Sequence, residues 1–175
     1  MDIAIQAPTP PRWAALLAGL QAGTVGTFAA LAWMGLSSTW QRRSFWAAVN
    51  LMASTFYGEE SIHAGFASSS ATGIALYLVM FGVLGAVFAA ACAGRVRGLP
   101  LLATGILFGL AWYYFSFAVM WKRVNPLMVL LHAQRPTLVG HLLFGAVLGR
   151  YERFVPSPPE SAQADGSELS DTPSS

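Results

Sequence analysis

The stretch TGIALYLVMFGVLGAVFAAACA, Thr72 to Ala93, contains no Asp, Glu, Lys, Arg or His. A helix needs about 20 apolar residues to cross the hydrocarbon core of a bilayer, roughly 30 Å thick, so this run is long enough to span one. Trp13 to Leu36 and Leu99 to Trp121 meet the same requirement, again without a charged side chain. A further run, Thr137 to Gly149, is short alone but reaches Val155 if Arg150 and Arg153 extend their heads to the headgroup layer. The expectation is an all-α integral membrane protein with four transmembrane helices, at about 13–36, 72–93, 99–121 and 137–155. Composition agrees: of 175 residues, 55% are hydrophobic and 10% charged, far from the balance of a soluble domain.

The flanks carry the remaining polarity. The first apolar run exceeds the roughly 7 to 15 residues of a signal-peptide core and has only Arg12 before it, so it should remain as an anchor. Residues 1–11, with Pro8, Pro10 and Pro11, and the acidic tail 156–175, with Glu160, Asp165, Glu168 and Asp171, lack the apolar side chains to offset their ordering entropy. Both are expected to be disordered, leaving residues 12–155 as the transmembrane domain. Cys92 is the only cysteine, which excludes an internal disulfide. Net charge is +2, and without the tail the chain is clearly basic. Its cations sit in small groups at span ends, a pattern that fits anionic lipid headgroups and argues against nucleic acid.

Arg12, Arg95, Arg97, Arg150 and Arg153 fall at one end of the expected bundle, and Arg42, Arg43, Lys122, Arg123 and Arg135 at the other. The rule that cations stay cytoplasmic therefore gives a tie. Both termini are placed in the cytoplasm, because the acidic tail then need not be translocated.

Landmarks recur in order along the two halves. Leu16-Leu17-Ala18 answers Leu101-Leu102-Ala103, Arg42-Arg43 answers Lys122-Arg123, Asn50-Leu51-Met52 answers Asn125 with Leu127-Met128, and His63-Ala64 answers His132-Ala133. Such a chain would be two parallel two-span repeats related by an axis along the membrane normal, with both of those histidines on one side. Between the spans of each unit lies a short apolar segment, Phe45 to Tyr57 and Pro126 to Leu131. At about 1.5 Å per residue neither crosses a bilayer, so each is interfacial or re-entrant. Asn125 before Pro126 is a strong helix start, an Asn cap followed by a residue with no donor to waste.

Chemical signals are sparse. Glu60 and His63 have the spacing of bundle di-metal ligands, but such a centre needs a second copy and two more carboxylates, which this chain lacks. Glu59 and Glu60 then read as a solvated turn. Convergence of His63, His132 and His141 on zinc would demand re-entrant geometry, so no metal or other cofactor is expected. His141 is the one ionisable side chain deep in an expected span, a functional candidate by default in lipid. The plainer reading is a neutral imidazole bonded to Gln21, Thr24 or Thr27 of the first span. Gln21, Thr24, His63, His132, Asn50 and Asn125 join His141 as candidate ligand-binding residues.

Four-residue pairs of glycines, Gly19 with Gly23, Gly105 with Gly109 and Gly145 with Gly149, favour close helix packing, and any surplus face would drive self-association. No nucleophile with an acid and base partner and no phosphate-binding glycine loop is present, so no enzyme is expected. The Gly-rich first span, the Trp-containing Asn segment, and Thr137-Leu138-Val139-Gly140-His141 followed by Phe144-Gly145 resemble a loose class of small uncharacterised bacterial four-span inner-membrane proteins. The likeness covers residues 13–151 and implies an architecture and a bacterial inner-membrane location only; Tyr77 and Leu78 depart from it where a membrane histidine would be expected. The expectation is a membrane protein that binds or passes a small polar or ionic solute near Gln21, Thr24 and His141. The alternative is a scaffold or accessory subunit packed against itself or another membrane protein.

Overall fold

In the computed structural model, which describes residues 11–156, the elements are all helical. The proline-rich start and the acidic tail lie outside the described residues, apart from Pro11 and Pro156. Helix α1 is Arg12–Trp40, α2 Ala47–Tyr57, α3 Ser68–Cys92, α4 Gly98–Phe115, α5 Trp121–Val124, α6 Pro126–Leu131 and α7 Gln134–Leu148. A π-helical turn, Ser116–Met120, joins α4 to α5, and 3-10 turns occupy Glu59–His63 and Tyr151–Phe154.

Three helices are long and apolar enough to cross a membrane: Arg12–Trp40, Ser68–Cys92 and the continuous Gly98–Val124. The expected span at 137–155 is not a fourth helix of that length. α7 has 15 residues, about 22 Å, against roughly 30 Å of hydrocarbon. It stops at Leu148 where Gly149 lies on the Leu101 and Leu102 backbone, so close that a Cβ would sit 2.6 Å from the Leu102 Cα.

Glycines set the register. Gly19 and Gly23 of α1 rest on Gly85 and Phe81 of α3, and Gly105 and Gly109 of α4 rest on Gly145 and the His141 carbonyl of α7. In each pair the numbers rise along one helix as they fall along the other, so the pairs are antiparallel hairpins. α1 also packs antiparallel along α7, with Gly26 against Phe144, Gly140 against Ala30 and Met34, and the Trp33 indole donating to the Pro136 carbonyl at 3.0 Å. The order is therefore α3, α1, α7, α4, with α3 and α4 barely touching. A twofold relating two tandem units would make the α1–α7 and α4–α3 contacts equivalent, and they are not; the expected repeat symmetry does not extend to the contacts between the units.

All these glycine faces are consumed within the chain. What remains outside is apolar: Val79, Val83 and Val87 on α3, and Leu99, Leu107, Tyr114 and Phe115 on α4, are exposed, the surface a bilayer would cover.

Candidate functional site

One end of the bundle, where α1 finishes and α3 and α7 begin, is closed by α2 and α6. α2 lies against the first two turns of α3: Gly73 has no side chain because the Val49 backbone occupies that space, and the Tyr57 and Thr72 hydroxyls meet at 3.2 Å. Phe45 fills the hollow over Gly35. Two buried asparagines hold this cap. Asn50 donates to the Ala64 and Gly65 carbonyls at 2.6 and 3.1 Å and accepts from the Ser70 hydroxyl at 2.6 Å. Asn125 accepts from the Leu127 amide at 3.1 Å, the helix start its sequence predicts, and donates to Ser54 and Thr55 at 2.9 and 3.1 Å, tying α6 to α2. Both candidate side chains thus bond within the fold, as buried amides must.

Beneath the cap lies an aromatic cluster around two histidines. The His141 ring meets Phe81 at 5.5 Å, Tyr113 at 5.3 Å and Phe117 at 6.4 Å between centroids. Phe117, from the π-helical turn, stacks on His132 at 3.9 Å. Tyr113 and Phe117 thus bridge the two imidazoles, bringing together residues that the sequence placed inside and outside the membrane. His141 Nδ1 lies 2.8 Å from the Thr137 carbonyl, and His132 Nδ1 lies 3.0 Å from that of Val129. A carbonyl only accepts, so both Nδ1 atoms carry hydrogen, and Nε2 of each neutral ring is the acceptor. Burial pushes His132 below the ordinary histidine value, and its bond to Val129 offsets part of that.

The partners expected for His141 are not the ones it has. Gln21 is exposed, and Thr24 donates to the Leu20 carbonyl of its own turn. Thr27 bonds likewise to Gly23 at 2.7 Å, but it shares a cavity with His141. His141 is satisfied within α7 because Thr137 stands one turn back, the local bond that spacing allows. His63 is exposed at the end of its 3-10 turn and takes no part, and Glu59 and Glu60 beside it are solvated as expected. Among the described residues no group of three or more His, Cys, Asp or Glu is placed to hold a metal ion.

Two small cavities reach this cluster. One, about 30 Å³, is bounded by Ser38, Arg43, Phe117, His132 and Thr137, room for about two water molecules. Arg42 takes the left-handed conformation, φ 57°, that closes α1, and the next residue, Arg43, lines this cavity. The second, about 10 Å³, lies against Thr27, Phe81, Gly140 and His141. Met34 and Tyr77 line both. Tyr77 was not among the candidates; the signal was present, since it is the one phenol within its span and occupies the position where the likeness called for a histidine.

No match was found among curated proteins or among solved structures. Residues 13–163 match the family model described as a family of unknown function, DUF6789, and this covers every helix above except the first residue of α1. The chain belongs to that family, DUF6789.

Proposed function

We propose that this chain is a non-enzymatic, multi-pass integral membrane protein that admits a solute no larger than one or two waters, or a proton relayed through them, to His141. The observation that carries the reading is the shared wall of Met34 and Tyr77 between the Arg43 and His132 cavity and the His141 cavity. Their combined size suits water and excludes the several hundred cubic ångströms of an ordinary organic ligand. Along this route Tyr77 supplies a hydroxyl and His141 an Nε2 acceptor.

The test is stopped-flow water and proton permeation of proteoliposomes carrying wild type, Tyr77→Phe or His141→Gln. A wild-type rate above that of empty liposomes, falling at least about tenfold in Tyr77→Phe, is expected. Rates equal to empty liposomes for all three proteins would end the reading.

The same proposal includes α7 as a fourth, short crossing reaching toward Val155 through the Tyr151–Phe154 turn, and residence in a bacterial inner membrane with both termini cytoplasmic. Its support is the antiparallel order, which sets Arg12, Arg97 and Arg150 at the end opposite His63 and His132. In a Cys92→Ser background, single cysteines at His63 and His132 should both react with an impermeant thiol reagent added to intact spheroplasts, which exposes the periplasmic face, and one at Glu152, beyond α7, should react only after lysis. Reaction of the Glu152 position from the same face as His132 would remove the fourth crossing, and reaction of the His63 and His132 positions from opposite faces would remove α3 or α4 as a crossing.

A second reading, self-association or docking to another membrane protein, has the open row in its favour, since α3 and α4 end it with exposed apolar faces. Crosslinking between single cysteines at Val83 of two copies would support it; a monomeric mass in every detergent and nanodisc tried would not.

A further inference from the structure

Among the cavities that lie against the described residues, one combines depth, aromatic walls and unopposed positive charge. It is an open groove of about 470 Å³ between α4, the π-helical turn, α6 and the start of α7. Tyr113, Tyr114, Phe117 and Leu138 form its deeper part, and Lys122, His132, Gln134 and Arg135 its outer end. We propose that this groove is a binding site for one anionic phospholipid, the phosphate held by Lys122 and Arg135 and the upper acyl chain lying along Tyr113, Tyr114 and Phe117.

Charge argues for the headgroup. Among the described residues no carboxylate lines the groove, and the one ion pair is Arg97 with Glu152, at the opposite end of the bundle. Lys122 and Arg135 therefore meet a phosphate without a competing internal anion, and Arg offers it two parallel donors. Depth argues for a chain attached to it. From Lys122 to Tyr113 the helix runs about 14 Å, near half of the roughly 30 Å hydrocarbon core. A soluble anion would leave that apolar length empty, whereas an acyl chain fills it. The π-helical turn shapes the wall: its extra residue per turn turns Phe117 inward onto His132, while Tyr114 and Phe115 stay exposed.

The other cavities fail one requirement or the other. The groove at the opposite end, about 280 Å³, brings Arg150 and Arg153 together with Glu152 and has no aromatic wall. The hollow of about 250 Å³ between Phe28, Phe45 and Trp46 is apolar and has no cation.

The full chain, purified in a neutral detergent, would be titrated with phosphatidylglycerol or phosphatidylcholine of the same acyl chains, and bound lipid counted by native mass spectrometry. Phosphatidylglycerol should bind at least about tenfold more tightly. Lys122→Gln or Arg135→Gln alone should each cost about fivefold, and the pair about 30-fold. Arg150→Gln with Arg153→Gln should cost nothing, and Tyr114→Ala should weaken phosphatidylglycerol while leaving all charges in place. All these side chains but Tyr114 are surface cations, and Tyr114 is itself exposed, so the fold is retained and the graded series remains readable. Equal binding of the two lipids, or unchanged binding in the Lys122 and Arg135 pair, would overturn the proposal. So would displacement of the lipid by glycerol 3-phosphate at matched concentration, which would make the groove a site for a soluble phosphate.

Discussion

In α1 and α3, Gly19, Gly23, Gly82 and Gly85 bring two backbones into contact; in α4 and α7, Gly105, Gly109 and Gly145 do the same. The two hairpins then diverge. Around α1 and α3 the polar side chains turn inward to their own helices, as Thr24 and Thr27 do to Leu20 and Gly23. Around α4 and α7 the helix is interrupted by a π-helical turn, and two imidazoles enter among Tyr113, Phe117 and Phe81. Close packing is thus common to both hairpins; the α4–α7 side brings the imidazoles, and α1 and α3 bring the Met34 and Tyr77 wall of the cavities beside them. Gly109 joins the packing to the imidazoles, because its missing side chain is what lets the His141 turn approach α4.

The largest expected effect tests the common part. Gly19→Leu and Gly105→Leu should each cost about 3 kcal/mol or more, since the colliding atoms are backbone and cannot rotate away. Thermal unfolding in detergent would measure it. Equal losses would confirm the glycines as one device used twice, and a tolerated Gly105→Leu would make α4 a loosely docked helix.

The next effects compare the asparagines that match in sequence but differ in what they hold. Asn50→Ala removes three bonds from the fully buried centre of the cap and strands the Ala64 carbonyl, while the Ser70 hydroxyl keeps the Gly65 carbonyl, at about 2 to 3 kcal/mol. Asn125→Ala loses a helix cap and its donors to Ser54 and Thr55, but the buried Ser54 hydroxyl keeps its bond to the Leu51 carbonyl, at about 1 to 2 kcal/mol. Reversal of that order in urea or heat would mean that the tie between α6 and α2 is the stronger clamp.

These contrasts show what the sequence made legible. Length and apolarity located three spans to within a few residues, and glycine spacing named the packing faces, because both properties are local. Asn125 with Pro126 marked a helix start for the same reason. The length of α7 was not legible, because its end is imposed by Gly149 seating on α4, a contact between distant residues. Nor were the partners of His141. A neighbouring helix offered hydroxyls and an amide, but its own Thr137 carbonyl was nearer by construction. The apparent repeat matched short words along the chain and had no means of reporting which helices would be neighbours.

His132 gives a smaller effect, with a sign fixed by burial. Its folded-state value lies below the ordinary one, so the unfolded chain takes up the proton first and stability rises with pH. Stability should fall as pH drops through about 6.5 and keep falling until the folded-state imidazole is also protonated. Melting temperatures between pH 7.5 and 5 would show this, and His132→Gln should flatten the slope. A slope unchanged by that substitution would assign the proton to another group.

The smallest effect separates the two hairpins through one tryptophan in each. Trp33 spends its indole N–H on the Pro136 carbonyl between α1 and α7, so Trp33→Phe removes an interhelical bond, at about 1 kcal/mol. Trp112 is the reverse: its Nε1 is buried and has no partner among the described residues. A stranded donor costs more in an apolar setting than a phenyl ring of slightly smaller volume loses in contact. Trp112→Phe should therefore leave the melting temperature unchanged or raise it. A drop like that of Trp33→Phe would mean that the buried Trp112 indole is bonded after all, to a water held between the helices. The hairpin that holds the histidines would then carry internal water beside Trp112 as well as beside His132.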